Sequence, residues 1–271
     1  MITKTPTSPI PKAPVEAATA TKFDLILDTV KKFIRRGAMG NLTNLVNKLH
    51  PADVAKIVLN LTAAHEKRTV FELLKDPQVK ADVISELDTD GIGAILGEMP
   101  VQDVVGILRL LPSDDVADIV GAFPVERKEE VLRLMETAGQ AAVEGLLKYP
   151  ESSAGGIMTT NFFALNEDTS VTEAIKQLQK STQKEMVFYI YITDKNGRLV
   201  GVVSLRKLLL VPPLTPLKEI MTTDVFSVTT DTDQEEVARQ VARYNLLALP
   251  VVDRESLLVG IITVDDVVDV I

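Results

Sequence analysis

A chain of 271 residues, 46% hydrophobic and 25% charged, has the composition of a globular protein able to bury a core, and its length fits one large or two ordinary domains. It has no cysteine and only two histidines, His50 and His65, which excludes disulfides and a cysteine nucleophile and leaves oxygen-bound hard cations as the metal class it suits. The net charge of −9 is uneven: residues 1–40 carry seven Lys/Arg against three Asp/Glu, so the rest is strongly acidic. That balance disfavours nucleic acid and suits divalent cations, or serves solubility alone.

The first 21 residues hold Pro6, Pro9, Pro11 and Pro14 and lack the apolar core of a signal peptide, so they are expected to be disordered. No apolar run reaches a membrane-spanning length. The expectation is a soluble, cytoplasmic chain, unless it is part of something longer. From Phe23, the residues Leu25, Ile26, Val30, Phe33 and Ile34 fall on one helical face, and Gly37–Gly40 punctuates it. A second helix is expected over Asn41–Leu49, broken by His50-Pro51.

A 12-residue repeat follows. Leu87, Met99, Leu111 and Phe123 recur at that spacing, with Pro100, Pro112 and Pro124 behind the last three. Ile95, Ile107, Ile119 and Val131 stand eight positions into each unit. Such short units cannot be stable helices alone and must bury their apolar faces on neighbours, and the prolines stop one helix and start the next. The reading is an all-α solenoid of short helices over residues 23–149, after a disordered extension 1–22. Tyr149–Gly156, rich in Pro, Ser and Gly, reads as a hinge over 150–156.

Beyond it lies a larger duplication. Ile157-Met158-Thr159-Thr160 returns 63 residues on as Ile220-Met221-Thr222-Thr223. Each phrase leads through an amphipathic segment and an apolar strand to Gly201-Val202-Val203-Ser204 or Gly260-Ile261-Ile262-Thr263, which are 59 apart. The four extra residues of the first copy are placed around Ser181–Glu185. Asp194-Lys195-Asn196-Gly197 is a strong hairpin turn and Asp253–Ser256 its weaker counterpart. The pattern is a tandem β-α-β-β-α repeat over 157–213 and 214–271, giving an overall α + α/β fold class.

Ile-Met-Thr at the start and Gly-Ile-Ile-Thr-x-x-Asp at the end resemble the CBS domain, which works in tandem pairs. With the upstream Leu49-His50-Pro51-Ala52-Asp53 and Leu111-Pro112-Ser113-Asp114-Asp115, and the joint Tyr149–Thr159, the whole from Phe23 resembles the cytosolic region of the MgtE magnesium channel family. The resemblance implies a regulatory module that dimerises through its CBS domains, with a membrane pore following in the full-length chain. The chain stops where a connecting helix would begin, as a truncated piece or as a free-standing relative acting with a pore in trans.

From spacing alone, two acidic faces stand out. Asp114 and Asp118 are i, i+4 on a short helix; Asp266 and Asp269 share the polar side of a C-terminal helix whose apolar stripe is Val264, Val267, Val268 and Ile271. Unpaired carboxylates about 4 Å apart repel by about 4 kcal/mol at an effective dielectric of 20, which an oxygen-coordinated divalent cation relieves. The plain alternative is a pair of solvated helix faces. The family resemblance implies Mg2+ ligands at Asp82, Asp114 and Asp118 in the helical domain and at Asp233, Glu235, Asp266 and Asp269 in the CBS pair. Asn245 stands where the family has another acid. The resemblance also implies an adenine nucleotide, such as ATP, on Tyr189 and Arg206. Lys207 departs from the ribose-binding Asp expected three residues after Ser204, whereas Thr263 and Asp266 keep that spacing. The plain alternative for Tyr189 and Tyr191 is strand packing.

No phosphate loop, nucleophile elbow or histidine metal spacing is present, so no enzyme is assigned. His50 reads as a helix-end residue and His65 as part of a polar turn. The leading expectation is a Mg2+-sensing regulatory region at the cytoplasmic face of the inner membrane, whose compact dimer closes a pore. The runner-up is a free-standing adenine-nucleotide-binding CBS module with a helical protein-docking domain.

Overall fold

A computed structural model describes residues 15–181 and 189–268. The Pro-rich start, the insertion placed around Ser181–Glu185 (beyond Ser181), Phe188, Asp269 and Ile271 lie outside the described residues. The chain divides into two compact units, Met1–Leu110 and Leu111–Ile271, and among the described residues no helix is long and apolar enough to cross a membrane.

The first unit is a run of helices: α1 (Val15–Arg35), α2 (Met39–Val46), α3 (Pro51–Leu59), α4 (Ala64–Glu72), α5 (Pro77–Ser85), α6 (Thr89–Leu96) and α7 (Val101–Leu108). Helix α1 starts eight residues ahead of Phe23, in an Ala-rich stretch of high helix propensity. Helices of eight or nine residues are marginal alone, and each leans on the helix two further along: α2 on α4, α3 on α5, α4 on α6, α5 on α7. The repeat's apolar positions face inward, Ile95 and Leu96 being fully buried. Proline punctuates as the repeat implies, at the first position of α3 and α5 and as the N-cap of α7. His50 caps α3, its Nδ1 accepting from the Ala52 N–H at 3.3 Å. His65 lies in the first turn of α4 and not in a polar turn, its carbonyl accepting from the Thr69 hydroxyl at 2.8 Å.

The second unit opens with α8 (Ser113–Gly121), α9 (Val125–Leu134) and α10 (Thr137–Leu146), of which α8 packs on both others. The residues read as a hinge are pinned to the second copy: Ala154 and Gly155 donate to the carbonyls of Thr232 and Thr230 at 2.7 and 2.9 Å, and Gln234 donates to Ser152 at 3.0 Å. Then come the two copies. The first is β1 (Ala164–Asn166), α11 (Val171–Lys180), β2 (Tyr189–Thr193), β3 (Leu199–Ser204) and α12 (Leu205–Leu208). The second is β4 (Val228–Thr229), α13 (Gln234–Tyr244), β5 (Ala248–Val252), β6 (Leu258–Thr263) and α14 (Val264–Val268). Each forms a three-stranded sheet with its first two strands parallel and its last two antiparallel, and each is irregular at the same place, Ile192/Thr193 and Val251/Val252. The hairpin turns also correspond. Gly197 takes φ 83° in one, and Ser256 takes φ 66° in the other, a left-handed conformation that glycine adopts freely and serine does not. That difference is why the second turn is the weaker signal in sequence.

The repeated phrase clasps the two copies together. Thr159 of the first phrase exchanges backbone bonds with Ile261 of β6 at 2.8 and 3.0 Å, and Thr222 of the second exchanges them with Val202 of β3 at 2.9 and 3.0 Å. Each phrase therefore extends the other copy's hairpin. The glycines opening Gly-x-x-Ser/Thr make room for the phrase methionines: a Cβ on Gly260 would sit 2.6 Å from the Met158 sulfur, and one on Gly201 would sit 2.5 Å from that of Met221.

Candidate functional site

Two aspartate doublets meet within the second unit. Asp114-Asp115 lies in the first turn of α8 and Asp265-Asp266 in the first turn of α14. Acids in a first turn are favoured by the helix dipole; bringing two such turns together is not, unless something else compensates. The approach is fixed by Ser113, a buried residue whose hydroxyl accepts from the Thr160 N–H at 2.8 Å and the Thr160 hydroxyl at 2.9 Å, with the Thr159 hydroxyl 3.3 Å away. Since Thr159 is also bonded to β6, one short network ties α8 to the strand that leads into α14.

The electrostatics record the crowding. Burial pushes the Asp115 carboxyl up to about 7, and the charges of Asp114, Asp266 and others add to it. Asp266 is likewise pushed up to about 7, first by burial and then by Asp114, although Thr263 works the other way by donating its N–H at 3.1 Å and its hydroxyl at 2.5 Å. That back-bonding is the reverse arm of a capping box. Asp118 is raised by burial and then by Glu151, but it reaches the surface, where solvent screens it. Asp114 is 9% exposed.

Beside the doublets opens a cavity of about 490 Å³. Its lining includes Asp114, Asp115, Asp265 and Asp266 together with Phe162, Phe163, Tyr189 and Tyr191. Tyr191 is buried, which pushes its hydroxyl pKa up.

The residues singled out from the sequence are thus distributed. Asp114 and Asp266 come together, with Asp118 on the same helix, and Tyr189 lines their cavity. Asp82 belongs to the first unit, where it accepts from Gln78 Nε2 at 2.9 Å. Asp233 caps α13 by accepting from the Glu235 N–H at 2.9 Å, and Glu235 pairs with Arg239 at 3.8 Å; both are exposed and outside the cavity lining. Arg206 is exposed on α12 and also outside that lining. Asn245 occupies the left-handed C-cap of α13 at φ 50°, a position Asn fills well. Asp115 and Asp265 were missed by spacing arguments. Their signal is the doublet itself, Asp-Asp in the first turn of two different helices.

These donors fit a hard divalent cation in kind, being oxygen only, with no thiolate or imidazole. As they stand, among the described residues no three acids or imidazoles converge closely enough to hold a metal ion. The carboxylates are gathered but not closed.

The chain matches the MgtE intracellular N domain over residues 49–152 and the CBS domain over residues 154–213 and 217–271. It is 33% identical over 250 residues to the magnesium transporter MgtE of Bacillus subtilis (strain 168), covering 92% of this chain and 55% of that protein. It is 48% identical over 139 residues to the magnesium transporter MgtE of Thermus thermophilus, covering 51% of this chain and 31% of that protein. The matched part thus spans between about a third and just over half of the length of these curated relatives. Among solved structures, the cytosolic domain of the Mg2+ channel MgtE in complex with ATP superposes with a TM-score of 0.81 at 36% identity, covering 90% of this chain and 100% of that one. The soluble part of a magnesium transporter superposes with a TM-score of 0.75 at 27% identity, covering 92% and 97%.

Proposed function

The chain belongs to the MgtE family, as a helical N domain followed by paired CBS domains, and from that premise we propose that it is the cytosolic Mg2+-sensing region of a magnesium channel or transporter. It regulates and does not catalyse. The observation that carries the reading is the meeting of the two aspartate doublets, with Asp115 and Asp266 both pushed up to about 7. Mg2+ bound there supplies positive charge that cancels the repulsion and accepts an all-oxygen shell. Asp114, Asp115 and Asp118 of α8 and Asp265 and Asp266 of α14 are the residues to hold it. Asp233 and Glu235 offer a second acidic face; Asp82 and Asp269 are carried over from the family resemblance.

With these carboxylates ionised and uncompensated, α8 and α14 repel. With them neutralised, the helical and CBS domains stay together in a compact form. As a dimer joined through the CBS domains, that form holds an attached pore closed, whether the pore lies in the same full-length chain or in trans. The cation shifts the equilibrium only as far as it binds the compact form more tightly. Small-angle scattering and limited proteolysis with and without Mg2+ test this. Compaction and protection are expected for the parent, and their loss for Asp114→Ala and Asp266→Ala. A parent indifferent to Mg2+, with both variants behaving like it, sinks the reading.

A second reading, an adenine-nucleotide-responsive module, draws on the two tyrosines in the cavity and on the ATP complex of the similar cytosolic domain. Arg206 lies outside the lining, which weakens it. A thermal shift with ATP or AMP in the absence of Mg2+ would favour it.

A further inference from the structure

The cavity in the second unit is larger and less polar than a hydrated metal ion calls for. At about 490 Å³ it is within the range of pockets that enclose small organic molecules, roughly 300–1,000 Å³. No Lys, Arg or His lines it among the described residues, so a phosphate group entering it meets carboxylates and no counter-charge. Four aromatic side chains, Phe162, Phe163, Tyr189 and Tyr191, share the lining with the aspartates. The doubly charged Mg2+ holds its water too tightly to gain from ring faces. A singly charged organic ammonium group is less strongly hydrated and is drawn to aromatic rings and to carboxylates alike. Tyr191 adds an independent sign: it is 3% exposed, it lines the cavity, and its hydroxyl has no hydrogen-bond partner among the described residues. A buried hydroxyl left unpaired is costly and is satisfied by a ligand that brings a donor.

We propose that this cavity binds an organic ammonium ligand, with the charged group toward the aspartate doublets and Tyr191, and the apolar body against Phe163 and Tyr189. Such a ligand draws on the same carboxylates as Mg2+ and competes with it. Occupation of the cavity by amines is a separate property from sensing of Mg2+, and each can fail without the other.

Titration calorimetry of the intact chain in metal-free buffer tests the proposal, with phenethylamine and spermidine as probes and phenethyl alcohol as the uncharged control. Both amines are expected to bind, the alcohol not, and added Mg2+ to weaken the amines. Tyr191→Phe removes one hydrogen bond to a charged group and is expected to weaken phenethylamine about tenfold, while Mg2+ binding, titrated without amine, persists. Asp265→Asn, at an exposed position that tolerates change, is expected to weaken both amines. The proposal is overturned if neither amine binds at millimolar concentration, or if the alcohol binds as well as the amine. It is equally overturned if Tyr191→Phe leaves amine affinity unchanged while circular dichroism reports the parent fold. Failure of Mg2+ to bind in the amine-free titration counts against the sensor reading alone.

Discussion

At the end of its hairpin the first CBS copy presents Ser204, Arg206 and Lys207; at the same point the second presents Thr263, Asp265 and Asp266. The backbones correspond strand for strand, including the irregularity in the central strand. Yet Ser204 caps its helix by accepting from the Lys207 N–H at 3.2 Å, whereas Asp266 reaches back to accept from Thr263. One junction is basic and exposed, and the other is acidic and half-buried against α8. A duplicated frame has therefore kept its geometry while its two ends acquired opposite charge. Chemistry here lives in a few side chains on a scaffold that does not register the difference.

The largest test of that comparison bears on the frame. Gly260→Ala places a Cβ 2.6 Å from the sulfur of fully buried Met158 and 2.9 Å from the Thr159 carbonyl oxygen, which cannot retreat. We expect a loss of about 2 kcal/mol in urea unfolding, in the usual range for overpacking. On Gly201 the three nearest atoms to an added Cβ all belong to the side chain of half-buried Met221, which can shift, so Gly201→Ala should cost less; the reverse order would break the account of the clasp. Next is the Ser113 network, which the first phrase has and the exposed Thr222-Thr223 lacks. Thr160→Ala is expected to cost about 1 kcal/mol, and Thr223→Ala less than about 0.5 kcal/mol.

The acidic junction predicts a pH dependence that the basic one does not share. Asp115 and Asp266 titrate near 7 in the folded chain and near 3.9, roughly, when unfolded. Between those values the folded chain holds protons that the unfolded chain has lost. Metal-free stability therefore falls as pH rises from about 4 to about 7 and levels off above. Thermal denaturation in chelator should register this as a midpoint that falls between about pH 4 and about pH 7. Asp266→Asn should shrink that drop, and Mg2+ at pH 7.5 should offset it. A further effect concerns Asn245, where φ is 50°. Asn245→Ala should cost somewhat under about 1 kcal/mol and Asn245→Gly almost nothing, separating a capping role from a ligand role.

Much of the frame was legible because it is periodic. Prolines every twelve residues mark the helix starts, and the repeated phrase, turn and Gly-x-x-Ser/Thr mark the strands. The site was legible only in part. Asp114 and Asp266 emerge from helical spacing, but that they meet depends on Ser113 finding Thr160, and Thr159 finding Ile261, across long stretches of chain. No local period encodes such bonds. Asp115 and Asp265 were hidden because an i, i+4 rule looks along one helix face and passes over the neighbouring residue. Arg206 shows the converse: motif position alone does not place a side chain in the cavity beside Tyr189.

The exchange of Thr159 with Ile261 has a consequence for how the molecule is made. A ribosome releases the first phrase roughly 100 residues before the strand that receives it, a wait of seconds at about 5–20 residues per second. Through that interval Met158 has no glycine to rest on, and for a shorter part of it, between the synthesis of Val202 and that of Thr222, the first hairpin lacks the edge that Thr222 later covers. Half of the pair is thus a nascent chain with an open strand edge, dependent on the arrival of its twin or on a chaperone to keep that edge from finding another ribosome's product.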